Sequence, residues 1–257
     1  ESRTLEDENN AFLSLAGLAV SADGGTLYAV DNELGVITLD ADTGLVTGIV
    51  APLDFLEAQD VAVASDGTIY IADLACECVR VVADGEEQAP LEGFEIENPA
   101  SVAVNDTAVY ATDTLDGLAV LRVFEGTGSS RLITPEDVVI TPDARLFTDQ
   151  FGTLYALDNT VLYELTPEEN LIERTRLTSD IVPQAVALSL TNQLIVATQD
   201  RGVVIFGLDG DEIANLGDVP LDPDFPQAGE VLNLGGVAIS PTGVIFTADS
   251  DGIYGNI

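Results

Sequence analysis

The chain of 257 residues has no histidine, methionine or tryptophan, and its eight basic residues are all arginine, so lysine is missing too. Without imidazole or a lysine amine there is no Ser-His-Asp triad, no Schiff base and no imidazole metal site. Cysteine is confined to Cys76 and Cys78, too few thiolates for a zinc or iron–sulfur centre. No apolar run approaches the ~18 residues that cross a bilayer, which excludes a membrane-embedded helix. Cations are scarce, and acids abound: 45 of them give a formal net charge of −37. Such a surface repels nucleic acid and anionic membranes, whose phosphates need Lys or Arg. It attracts cations or a basic protein partner.

The hydrophobic fraction of 46% is that of an ordinary globular protein, so the charge does not signal disorder. Two settings tolerate so much carboxylate. Acid protonates it, and concentrated salt screens it within about 3 Å at 1 M. Acid-rich composition with Arg in place of Lys is similar to that of salt-adapted proteins, which favours the second; an exported protein with an ordinary acidic bias is the alternative. The chain starts at Glu1 rather than Met, which reads as a processed chain, extracellular or at the cell surface.

One pattern recurs along the chain: "GLAVSADGGTLYAVD" (17–31), "DVAVASDGTIYIAD" (60–73), "SVAVNDTAVYATD" (101–113), "DVVITPDARLFTDQFGTLYALD" (137–158), "AVALSLTNQLIVATQ" (185–199) and "GVAISPTGVIFTAD" (236–249). Aligned on Tyr28, Tyr70, Tyr110, Tyr155, Val196 and Phe246, the copies lie 40 to 50 residues apart. That period marks a β-propeller, one four-stranded blade per copy. Small and β-branched residues make an inner strand, and Asp23-Gly24 and Asp66-Gly67 are expected to form two-residue hairpin turns. A second strand ends in Asp, and a third follows, as in "GVITLD" (35–40) or "CVRVV" (78–82). The fourth copy reads as carrying an insertion over 141–152, and the last stops at its third strand. "SRTLE" (2–6) lies at the offset of an outer strand. The expectation is an all-β, single-domain, six-bladed propeller over residues 1–257, its last blade completed by the N-terminal strand pairing with 252–257. Closure of this kind removes unpaired edges.

Residues 60–85, "DVAVASDGTIYIADLACECVRVVADG", resemble the NHL repeat, with Cys78 where that pattern has Arg. Gluconolactonase-like lactonases and YWTD propellers share the rhythm. The resemblance implies a propeller shape, and fold alone licenses no activity. The His-metal lyase chemistry of some NHL propellers is excluded by the lack of His. The lactonase-like families place a metal-binding Glu on the first inner strand, and "LAGLAVS" has no acid there.

Several residue sets invite a functional reading. The Asp closing the second strand (Asp31, Asp73, Asp113, Asp158 and Asp249, with Gln199 in the fifth copy) forms either a cation-binding ring or a set of local turn caps, and the repetition favours caps. Acidic turns holding Asp40 and Asp42, Asp209 and Asp211, and Asp249 and Asp251 are weak candidates for calcium, and no other cofactor is expected. Cys76 and Cys78 are two thiols, a local disulfide, or a link to another chain. Asn105 in "NDT" fits an N-glycosylation acceptor on a hairpin turn. The link 217–236 has three prolines and carries Leu221 and Phe225 among acids, an anchor for a partner. Taken together, these features point to a non-enzymatic extracytoplasmic recognition or assembly module, part of a larger surface structure. The second reading is a divergent lactonase- or hydrolase-like propeller using a carboxylate-bound calcium ion.

Overall fold

The computed structural model describes residues 2–5, 14–51, 57–91, 96–125, 129–133, 138–199, 201–217, 234–249 and 252–256. They form an all-β propeller, with no helix among them. Sheet 1 is Leu15–Val20, Thr26–Asp31, Gly35–Asp40 and Val46–Ala51. Sheet 2 is Ala58–Val63, Ile69–Asp73, Cys78–Ala83 and the two-residue Glu86–Glu87. Val102–Val104, Val109–Leu115, Leu118–Glu125 and Ser129–Ile133 make sheet 3. In sheet 4 the order is Arg145–Thr148, Leu154–Asp158, Val161–Leu165 and Leu171–Arg176. Pro183–Leu188, Gln193–Thr198, Gly202–Gly207 and Glu212–Gly217 make sheet 5. Gly236–Ile239, Ile245–Asp249 and Gly252–Asn256 belong to sheet 6, whose fourth strand is Ser2–Leu5, with Ser2 opposite Asn256 and Leu5 opposite Ile253.

Alternation of small and β-branched residues gives each sheet two apolar faces, so each must be covered on both sides. The covering comes from the neighbouring sheets. Val30 and Val36 of sheet 1 pack with Ile69 and Ile71 of sheet 2. Leu157 and Leu162 of sheet 4 pack with Leu194 and Phe206 of sheet 5. The same holds between sheets 6 and 1, where Ala238 and Phe246 join Leu18 and Leu27.

Antiparallel order fixes two rims. Turns joining first to second and third to fourth strands lie on one, called here the turn rim; the second-to-third turns and the links between sheets lie on the other, the link rim. Neighbouring hairpins touch along the turn rim: Ser65 donates to Asp106, and Asn105 Nδ2 to Gly152 O at 2.8 Å.

Two local expectations are corrected. The fourth copy has no insertion: its inner strand is Arg145–Thr148, inside the segment taken as inserted, while Val138 and Val139 belong to the preceding link. Hydrophobicity alone made "DVVI" look like a strand, but the register pairs Phe147 with Tyr155. Nor are the Asp-Gly hairpins two-residue turns. Ala64 and Thr68 close a three-residue loop in which Gly67, at φ 88°, carries the positive φ. Asp66 instead accepts from Thr68 N at 2.9 Å, which fixes the loop from its own side chain.

Candidate functional site

The inner strands surround a central channel enclosing about 200 Å³, lined by residues such as Ala19, Val63, Val104, Thr148, Leu188 and Ile239. At its link-rim end one register position recurs. Gly17 lies opposite Val30, Asp60 opposite Ala72, Arg145 opposite Leu157, Ala185 opposite Ala197 and Gly236 opposite Ala248. Ser101 accepts from Thr112 N in the matching place. Side chains here point at the next inner strand, whose channel-side amides lack a ladder partner. Gly236 leaves room for that approach, since a Cβ would lie 2.8 Å from Leu18 N. Asp60 and Ser101 fill the same space with acceptors. Val102 N donates to Asp60 Oδ2 at 3.0 Å, and Leu146 N donates to Ser101 Oγ at 2.9 Å.

Ser101 also donates its hydroxyl to Asp60 Oδ2, and Val61 N donates to Oδ1 at 2.9 Å. Arg145 adds a positive charge, its Nη1 donating to Ala100 O at 2.9 Å. Asp60 keeps some contact with the channel, yet protein surrounds it. This burial pushes its carboxyl above the ordinary range, while the Arg145 charge and the hydrogen bonds from Ser101, Val102 and Val61 oppose the shift. Both carboxylate oxygens are occupied, so the Asp60–Ser101–Arg145 set ties sheets 2, 3 and 4 together rather than presenting a base to the channel. The sequence held a signal for it: the residue before each small-apolar run changes from Gly or Ala to Asp, Ser and Arg in these copies.

Asp31, Asp73, Asp113 and Asp158, which close second strands, are caps. Asp31 accepts from Ser14 N of the incoming link and from Glu33 N and Leu34 N of its own turn. Asp73 does the same with Glu57 N and Ala75 N, and Asp158 takes Thr141 N and Oγ1. Asp113 accepts from Glu97 N and Asn98 N. In sheet 5 the equivalent position is Thr198, not Gln199. It sits opposite Pro183 just before the same bulge, as Asp31 sits opposite Leu15, and its Oγ1 donates to Gly202 O at 2.8 Å.

The acidic turns do not converge. Asp40 and Asp42 lie in the last turn of sheet 1 and Asp209 and Asp211 in the last turn of sheet 5, two sheets that are not neighbours. Asp249 ends a strand on the opposite rim, and Asp251 lies outside the described residues. Asp40 accepts from Thr43 N at 2.7 Å. Among the described residues no three His, Cys, Asp or Glu side chains gather as a metal site. Cys76 and Cys78 are joined in a disulfide on the second-to-third turn of sheet 2, with Glu77 between them at φ 54°. Asn105 Nδ2 is engaged by Gly152 O and Tyr110 Oη, and its Oδ1 accepts from Thr107 and Ala108, so a glycan there would displace the Nδ2 bonds. Leu221 and Phe225 lie outside the described residues.

A larger cleft opens on the turn rim between sheets 2 and 3. It encloses about 750 Å³, and its walls include Ser65, Asp66, Tyr70, Gln88, Asp106 and Phe124. Sequence reading missed it, because it arises where two sheets and the segment 88–91 meet rather than from a motif. On its sheet 3 wall Val104 pairs with Val109 across the ladder of that sheet, and Ala108 lies beside them.

No protein-family model and no curated protein sequence matches the chain. Solved structures do resemble it in shape. A streptogramin B lyase superposes with a TM-score of 0.69 at 12% identity, over 99% of this chain and 96% of that one. A protein of unknown function from Bacteroides thetaiotaomicron VPI-5482 gives 0.71 at 15% identity, over 99% and 74%. The WD40 repeats of RRP9 give 0.62 at 14% identity, over 97% and 76%. An enzyme and a WD40 repeat protein match about equally well, so the likeness establishes the propeller and carries no activity.

Proposed function

We propose that the chain is a non-enzymatic recognition or assembly module of the cell surface, built as a six-bladed, NHL-like propeller whose ring Ser2–Leu5 closes. The closure is supported by the pairing of Ser2–Leu5 with the last strand and by the apolar cluster joining sheets 6 and 1. A surface location is supported by the Cys76–Cys78 disulfide, since such bonds persist in oxidising compartments. Adaptation to salt is supported by the −37 charge carried without lysine.

The observation that carries the recognition reading is apolar exposure at the turn tips. Phe151 is 82% exposed on the turn rim, and Leu190, 54% exposed, occupies the equivalent turn of the adjacent sheet. Large apolar side chains held out on tight turns contribute nothing to the core and are free to contact a partner. The channel, by contrast, is lined by aliphatic side chains, and its acid Asp60 is consumed by hydrogen bonds.

The test is affinity capture from envelope extracts in molar salt, with the wild-type chain, with F151D/L190D, and with residues 221–227 replaced by a Gly-Ser linker. A partner held by the wild type and lost with one variant of unchanged melting temperature locates the binding rim. Capture of nothing by the wild type, or of the same set by all three, overturns the reading.

A further inference from the structure

The cleft between sheets 2 and 3 combines three properties that narrow what fits it. Its floor is apolar, made by Val104, Val109, Leu91 and Phe124. Its rim bears Asp66 and Asp106, and none of the described residues lining it is basic. Asp66 is held below the ordinary carboxylate range by the hydrogen bonds from Thr68, so it is ionised. Tyr70 stands between floor and rim, half-buried; burial and the nearby Asp66 charge push its hydroxyl up, so it stays protonated and able to donate. An anion is repelled here, and a compact metal ion leaves the apolar floor uncovered. A cation on an aliphatic stem satisfies both parts: the stem lies on Leu91 and Val104 while the charge meets the two carboxylates and the Tyr70 ring. A cleft of about 750 Å³ exceeds one such side chain and admits the backbone beside it. Exposed Phe151 lies on the same rim, across the 105–108 turn from the cleft, because Gly152, its neighbour in sequence, accepts from Asn105 of that turn.

We infer that this cleft is the docking point for a basic segment of a protein partner, which inserts an arginine or lysine side chain between sheets 2 and 3 and lays its flanking residues against Phe151. The inference rests on the recognition reading and names the partner's chemistry. Arginine suits the site better than lysine, since its planar guanidinium both stacks on an aromatic ring and forks to a carboxylate.

The experiment uses N-acetyl-L-arginine amide as the probe and N-acetyl-L-citrulline amide, its uncharged isostere, as the comparison. Each is titrated into the 15N-labelled full chain in 1 M KCl, and amide shifts are followed. The expected result is saturable shifts confined to the amides around Tyr70, Gln88 and Thr107, with citrulline amide at least about fivefold weaker. V104L/V109L, which fills the floor without changing charge, and D66N/D106N, which neutralises the rim, should each weaken the arginine probe by about fivefold or more. If V104L/V109L does not fold, D66N/D106N decides alone. Equal binding of citrulline amide, shifts spread over the whole acidic surface, binding unchanged by D66N/D106N, or no shift at all overturns the inference. Those outcomes leave the recognition reading standing, because envelope capture tests it separately.

Discussion

Arg122 on the third strand of sheet 3 donates from Nε to Asp113 on the second, and the two side chains are 1% and 0% exposed. Asp113 also receives the amides of Glu97 and Asn98 where the chain enters the sheet. One buried carboxylate therefore fixes both a strand pair and a link. Asp113→Ala removes a buried carboxylate that the Arg122 guanidinium and the Glu97 and Asn98 amides all share, which should cost about 3–5 kcal/mol. Arg176→Ala, at an exposed pair with Glu173, should cost no more than about 0.5 kcal/mol. Urea unfolding in molar salt measures both, and equal losses would show that the buried pair has no special role.

The Cys76–Cys78 bond closes a loop with a single residue between its cysteines. Loop-closure entropy rises with length, so a bridge this short should stabilise by only about 1–2 kcal/mol. The double substitution C76S/C78S is expected to fold and to melt a few degrees lower. Arg80 continues to hold Asp73 in this variant, because that ion pair lies on the strands rather than in the turn. A chain that fails to fold without the bridge contradicts the estimate.

Much of the strand pattern was legible because it follows local chemistry. Third strands such as Gly35–Asp40 and Gly202–Gly207 fall where alternating residues place them. The capping role of Asp31 and Asp73 was legible from repetition alone. The fourth copy misled because two segments, Val138–Ile140 and Arg145–Thr148, are both apolar, and only the cross-strand partner Tyr155 distinguishes them. The Asp60–Ser101–Arg145 set depends on which inner strands are neighbours, a long-range property. The cleft depends on how sheets 2 and 3 and the segment 88–91 meet at the turn rim, which no single residue announces.

Net charge sets a second expectation. With 45 acids and eight arginines, the folded chain concentrates like charge that the unfolded chain spreads out. Screening falls to about 3 Å at 1 M salt, so the melting temperature should rise by roughly 10 °C or more between 0.1 and 3 M NaCl. Potassium chloride should act like sodium chloride, because the effect is screening rather than specific ion binding. A melting temperature indifferent to salt would sink the salt-adapted reading.

Asp60 supplies a prediction whose sign is opposite to that of Asp23, Asp66 and Glu212, which hydrogen bonds hold low. Burial raises its native pKa above that of a free aspartate, which titrates near pH 4. Below that pH the folded and unfolded chains both hold the proton, and Asp60 adds no pH dependence. Between the free and native values the folded chain keeps a proton that the unfolded chain has released. Unfolding free energy from this group therefore falls as pH rises through that window and is level above it. Asp60→Asn cannot titrate, and the hydrogen bonds it alters shift stability by an amount independent of pH. The wild-type stability minus that of Asp60→Asn should thus decline as pH climbs from about 4. Arg145→Met removes the charge that opposes the shift, so in that background the decline should extend to higher pH. Urea unfolding at a series of pH values in 2 M NaCl provides the difference. A difference that rises with pH would mean that Arg145 and the donors from Ser101 and Val102 outweigh burial, and that Asp60 stabilises the fold as an anion.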